Sequence, residues 1–179
     1  MKILIDTDKR TIVWNYTEDV QVKTTIADLM HNYLGTKEYK GIVKTIQEWY
    51  YGTLIEASWC ATAVSYFANQ LNILEQIGGK NENVYYMMCA CRTYANSHKD
   101  VRFYDKGNIP KQILKGDILF YLWNGTVMKF DSNKHVSICN ESTTANTIPS
   151  IGGNQDDSIS IKNYNRNNLY ALYRPSYKY

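Results

Sequence analysis

Long apolar runs are missing from this chain. No stretch approaches the ~20 residues that a membrane-spanning helix needs, which sets membrane insertion aside. Runs of one charge are missing too. Twenty Lys and Arg against 17 Asp and Glu leave a net charge of +3. With no Lys/Arg run to track a phosphate backbone, nucleic-acid binding loses its main electrostatic support. Cysteine is scarce: four residues, at 60, 89, 91 and 139. That number in a chain of this size does not make a disulfide framework. Cys89 and Cys91 are one residue apart, which is not zinc-knuckle spacing, and no second pair follows. With His31 and His98 as the only imaginable partners, neither a metal nor another cofactor is expected. The start, Met1 to Asp6, is too short in apolar residues for a secretory signal, and Asp6 and Asp8 interrupt it. This predicts a chain made in the cytoplasm with no address of its own. Internal repeats and low-complexity linkers are absent as well.

What is present suffices for a fold. The 179 residues are 44% hydrophobic, enough to bury a core without disulfides or metal. Sixteen tyrosines stand out. Such rings suit a wet groove for a polar polymer, but Asn, Lys and Ile are frequent too, which favours a compositional bias of the source genome.

Patterning divides the chain. Residues 1–15 read as a hairpin: Ile3 and Ile5 alternate with polar neighbours, Asp6-Thr7-Asp8-Lys9 is turn chemistry, and Thr11-Ile12-Val13-Trp14 returns. Residues 24–34 read as a helix with Thr24 or Thr25 as N-cap and Gly35 as its end. Residues 38–50 repeat the helical pattern through Ile42, Ile46 and Trp49. The clearest helix carries Ala61, Val64, Phe67, Ala68, Leu71 and Leu74 at steps of three and four. Ser58 stands where its N-cap belongs, Cys60 falls in its first turn, and Gly78-Gly79 stops it. Another helix covers 84–96. From Gly116 the texture changes to strands: 117–123, 135–139, 147–151, 158–161 and 169–173. Helices first and an antiparallel sheet second means α+β, with the helices packed on the sheet. The division is 1–48, a hairpin and helices of unclear role, and 49–179, a catalytic domain, or else one continuous domain.

Chemistry concentrates on Cys60. A cysteine attacks as thiolate, and the N-terminus of a helix favours that form. The Cys60 N–H could also bind an oxyanion. A base is required, and three histidines exist. His31 sits in a helix ahead of the nucleophile and reads as a surface or packing residue. His98 sits at a helix end, where it serves as a C-terminal cation. His135 opens a strand whose alternate residues are Ser137 and Cys139, a small polar face with room for substrate on a rigid element. A third group should fix the imidazole tautomer. Glu141, Asn154, Gln155 and Asp156 all qualify. Trp59, Ser58, Ser137 and Gln155 are further candidates for binding substrate or its oxyanion.

These residues resemble a known family. Trp59-Cys60-Ala61 with Val64-Ser65-Tyr66-Phe67 resembles the nucleophile helix of NlpC-type and CHAP amidases and endopeptidases. Gly116-Asp117-Ile118 resembles their Gly-Asp-hydrophobic strand start, and His135-Val136-Ser137-Ile138 their His-Val-Gly strand. Ile151-Gly152-Gly153-Asn154-Gln155 resembles the Gly-Gly-Asn-Gln strand end of a phage-associated branch. Arg174-Pro175-Ser176-Tyr177 resembles the closing strand of CHAP domains. The order agrees from about residue 50 onward; residues 1–48 resemble nothing nameable. Two departures exist besides an insertion at about 124–134: Ser137 replaces the usual Gly, and Gly152 stands where many CHAP members have Glu.

The resemblance implies a papain-like α+β fold and cleavage of an amide in peptidoglycan, with Cys60 as nucleophile, His135 as base and Asn154 as orienting residue. The slightly basic charge is compatible with a weak attraction to an anionic cell wall. A chain without a signal then acts as a phage or prophage endolysin released through a holin, a virion lysin, or an injected effector paired with an immunity protein. Two rivals make different predictions. A non-catalytic wall-binding or structural phage protein would bind peptidoglycan without cutting it. A same-fold acyltransferase or deamidase would transfer to an added amine.

Overall fold

A computed structural model describes residues 2–6, 11–15 and 23–178. The early alternation of apolar residues does form a hairpin. Strand β1 (Lys2–Asp6) pairs antiparallel with β2 (Thr11–Asn15), setting Ile3 opposite Trp14 and Ile5 opposite Ile12. The expected turn at Thr7-Asp8-Lys9 lies outside the described residues.

Thr25, one of two candidate caps, starts helix α1 (Ile26–His31). Its hydroxyl accepts from the Asp28 N–H while its own N–H donates to the Asp28 carboxylate at 2.8 Å. This reciprocal pair satisfies two donors that a helix start would leave bare. The helix stops at His31, short of Gly35, because the chain tightens into turns from Asn32 onward. Helix α2 (Gly41–Tyr51) turns Val43 and Ile46 inward. Helix α3 (Cys60–Gln70) is the most buried of the helices: Ala61, Ala63, Val64, Phe67 and Ala68 lie in the core. It ends earlier than its apolar stripe suggests. Asn72 takes a left-handed turn (φ 56°), and Leu74–Ile77 forms a separate 3₁₀ turn that Gly78 closes. Leu74 therefore continues the apolar spacing without continuing the helix. Helix α4 (Val84–Ser97) is capped by Asn83, which accepts from the Tyr85 N–H.

Six strands follow: β3 (Arg102–Asp105), β4 (Ile118–Leu122), β5 (Lys134–Cys139), β6 (Thr147–Gly152), β7 (Ser160–Asn165) and β8 (Leu169–Arg174). They form one antiparallel sheet in the order β3-β8-β4-β5-β6-β7. The architecture is α+β. Strand β3 was not foreseen; it is a short edge strand whose four residues all retain some exposure, so no apolar alternation marks it.

Alternation across the sheet makes two cores. Ile118, Phe120, Val136, Ile138, Ile151, Ala171 and Tyr173 join the inward residues of α1 to α4. On the opposite face Leu119, Tyr121, Cys139, Ile148, Leu169 and Leu172 gather with Ile113. Ile26, Met30, Val43 and Ile46 belong to the helix-side core, so the core runs across the boundary at residue 48.

The sequence motifs at Gly116 and Arg174 meet as a clasp. Asp117 accepts from Arg174 Nε and Nη2 at 2.8 Å each and from the Leu114 N–H at 2.8 Å. The Tyr177 hydroxyl donates to the Gly116 carbonyl at 2.6 Å. Gly116 has φ 91°, and a Cβ there would sit 2.8 Å from Thr25 and 2.9 Å from Tyr177. Glycine answers both constraints. These motifs therefore tie the chain's last residues to the entry of β4.

Candidate functional site

The site is made where the sheet splits. Backbone groups of alternate β5 residues point to opposite neighbours. The Cys139 N–H donates to Asp117 on the β4 side at 2.8 Å, and the Asn140 N–H donates to Pro149 on the β6 side at 2.8 Å. Val136 shares the parity of Asn140, so its N–H also points toward β6. Yet β5 and β6 are paired only at Ile138–Ile151 and Cys139–Ser150. Beyond that register β6 leaves β5, and a gap opens beside Val136.

Gly152 and Gly153 make the split. A Cβ on Gly153 would lie 2.4 Å from the Trp59 ring and 2.7 Å from Ala63. Bare glycine lets the chain press against the start of α3. A Cβ on Gly152 would lie 3.0 Å from Ser137. Ser137 is accommodated by the missing side chain across from it.

Cys60 fills the gap. The backbone N–H groups of Val136, Ala61 and Cys60 itself lie close enough to the thiol to act on it. Only 5% of Cys60 is exposed. Burial pushes the thiol above its ordinary value, and those three N–H groups, with Lys134, pull the other way. The N-cap of α3 is Trp59, not Ser58, and no side chain caps it. First-turn donors are thereby left to face the sulfur.

His135 points to the sheet face away from the helices, as its alternation with Val136 requires. Its ring lies 5.7 Å from the Tyr164 ring and 6.2 Å from the Trp123 ring. Only 8% is exposed. Burial disfavours the charged imidazole and lowers its pKa from 6.5 to about 4, with Gln155 opposing and Lys162 adding to the fall. Tyr164 joins the two sides. It lies near His135, and Cys60 is close enough to act on its hydroxyl.

The group on the imidazole is Gln155. Its Oε1 lies 3.2 Å from His135 Nε2, while its Nε2 donates to the carbonyls of Ser150 and Ser160. The amide orientation is thus set by its donors, and Oε1 can only accept. Neutral His135 must therefore carry its proton on Nε2, which leaves Nδ1 as the basic nitrogen. Asn154, to which the resemblance assigned this role, instead turns the chain at φ 57° and makes no described hydrogen bond to His135. Asn tolerates that left-handed conformation well, so the residue serves the turn that delivers Gln155.

The remaining candidates are separated. Trp59 is fully buried and packs on Gly153. It is a wall of the core, closed to substrate. Ser137 is also fully buried, which corrects the expectation of an open small-residue face. Ser58 is exposed beside the site. Among the other histidines, His31 Nε2 lies 2.5 Å from Asn140 Oδ1, and His98 caps α4 while stacking on Tyr94 at 3.7 Å. Glu141 lends its carbonyl to the Cys139 thiol. Asp156 pairs with Lys162 at 2.5 Å.

Sequence reasoning missed Tyr164. Its hydroxyl donates to Gln155 Oε1 at 2.9 Å. The signal was present in principle, since β7 alternates exposed and half-buried residues and Tyr164 is among the latter. Among the described residues no group of three or more His, Cys, Asp or Glu side chains is arranged to hold a metal, and no helix is long and apolar enough to cross a membrane. No family model, curated protein or solved structure matches the chain.

Proposed function

We propose that this chain is a cysteine-dependent amide hydrolase of bacterial peptidoglycan, with a papain-like arrangement of nucleophile and base. One observation carries the reading: the Cys60 thiol occupies the gap beside Val136, next in the chain to His135, whose tautomer Gln155 holds.

The electrostatics favour a particular order of events. Burial raises the Cys60 thiol and lowers the His135 imidazole, so both are neutral in the free protein. The nucleophile forms when His135 Nδ1 takes the thiol proton as sulfur attacks the substrate carbonyl. The Cys60 N–H, a first-turn donor, would bind the developing oxyanion, a contribution on the order of 10²–10³ in rate. His135 then gives its proton to the leaving amine. It next activates water, which releases the acyl group from sulfur. Gln155 accepts from Nε2 throughout and keeps the ring aimed.

The substrate assignment comes from the motif resemblance, and an endolysin or injected effector remains its natural context. The test is digestion of purified peptidoglycan followed by mass spectrometry of the fragments. New amine and carboxyl ends at one type of amide support the reading, and the fragment masses identify the bond. Intact peptidoglycan carrying bound protein would point instead to the wall-binding rival. Mass gain from an added amine would point to acyl transfer.

A further inference from the structure

Gln155 is saturated. An amide oxygen offers two lone pairs and an amide nitrogen two protons. Here the two protons go to the Ser150 and Ser160 carbonyls, and one lone pair goes to His135 Nε2. The second lone pair is taken by Tyr164, whose hydroxyl lies 2.9 Å from Oε1. Tyr164 itself is clamped by rings: Tyr121 at 4.7 Å, Trp123 at 5.6 Å and His135 at 5.7 Å between centroids. Ser158 and Ser160 hydroxyls donate to the Gln155 carbonyl and hold its backbone as well.

We infer that Tyr164 is a positioning residue: it fixes Gln155 Oε1 from the solvent side and thereby holds the His135 imidazole on one axis. The mechanism above does not need this hydroxyl, so the inference deepens that reading and rests on it for its catalytic consequence. The physical case has three parts. First, the hydroxyl is a permanent donor, because burial, then Cys60 and Asp156, push its pKa up to about 12. Second, the half-buried ring covers the His135–Gln155 hydrogen bond, and excluding water strengthens a polar contact. Third, the other anchors of the amide lie on the protein side, so Tyr164 supplies restraint from a direction they do not.

The test is a double-mutant cycle of Tyr164→Phe and Gln155→Ala in the full chain. Phenylalanine keeps the ring packing on Tyr121 and Trp123, so the fold is retained, as circular dichroism would verify. Two quantities are read: kcat on peptidoglycan, and by nitrogen-15 NMR the exchange rate of the His135 Nε2 proton with water. Tyr164→Phe should lower kcat and speed exchange, each by about threefold to tenfold, the worth of one neutral hydrogen bond. In the Gln155→Ala background Tyr164→Phe should add nothing, since the residue acts through the amide. Unchanged exchange in Tyr164→Phe overturns the inference. So does an equal effect of Tyr164→Phe with and without Gln155, which would mark the hydroxyl as acting elsewhere than through the amide. If exchange responds as expected while the wild-type protein cuts no peptidoglycan, the positioning role stands and the substrate assignment falls.

Discussion

The Val136 backbone N–H lies close enough to the Cys60 thiol to act on it, while the neighbouring His135 turns its ring to the opposite face of the sheet. In an intact sheet those two residues would be separated by the strand layer. On the side of α3, β6 leaves β5 after Ile151 and the ladder between them is broken beside Val136. In the proposed mechanism this break in the sheet is the route by which the Cys60 sulfur reaches the imidazole.

Replacing Cys60 by Ala or Ser should abolish turbidity loss of cell-wall suspensions, because the acyl step has no other nucleophile. The fold should survive, since a buried thiol is small and its removal costs on the order of 1 kcal/mol. Circular dichroism and thermal melts alongside the lysis assay check both halves. Lysis at the wild-type rate by Cys60→Ala would falsify the mechanism.

Gln155 and Asn154 should separate cleanly. Gln155→Ala removes the acceptor that selects the Nε2–H tautomer, and a loss of roughly 10–100-fold in kcat is expected, as for comparable orienting partners. Asn154→Gly preserves the left-handed turn and should leave kcat within about twofold, a change below one ordinary hydrogen bond. Steady-state kinetics on the two variants decides which amide orients the base.

Gly153→Ala should destabilise the protein. The added Cβ would meet the Trp59 ring at 2.4 Å and Ala63 at 2.7 Å, and neither neighbour is the far end of a flexible chain. Overpacking of this kind costs about 1–3 kcal/mol, or a few to about 10 °C in Tm for a chain of this length. Because Gly153 sets the path to Gln155, activity at a permissive temperature should fall as well. A melt matching the wild type would contradict the close approach.

Stability should fall on acidification between about pH 6.5 and pH 4. His135 is held neutral by burial, with its pKa lowered from 6.5 to about 4. Below 6.5 the unfolded chain binds a proton that the folded chain refuses, so the folded state loses ground until its own imidazole titrates. The stabilisation is complete above 6.5 and shrinks by roughly 3 kcal/mol across the window. Denaturant melts at pH 7.5 and 4 on wild type and His135→Gln test this, since the difference between the two proteins isolates one group. With His135 as the base of the proposed mechanism, the same shift predicts an acid limb of kcat/KM near pH 4.

Much was legible in the sequence because it depends on neighbours in the chain. The helical stripe from Ala61 to Ala68 and the strand alternation around His135 follow from periodicity. A threonine cap was legible as Thr24 or Thr25, and the reciprocal pairing with Asp28 singles out Thr25. The short edge strand β3 and the early end of α3 were not, because exposure and a left-handed Asn72 leave no apolar signature.

The sequence by itself determined the class of elements, the place of Cys60 in the first turn of the buried helix and the strand that presents His135. Only the tertiary structure decided that Gln155, and not Asn154, meets the imidazole, that Trp59 and Ser137 are closed to solvent, and that Tyr164 completes the network. The physical reason is direction. A sequence records that two amides follow a pair of glycines, but the left-handed turn at Asn154 determines which of them points back toward the sheet.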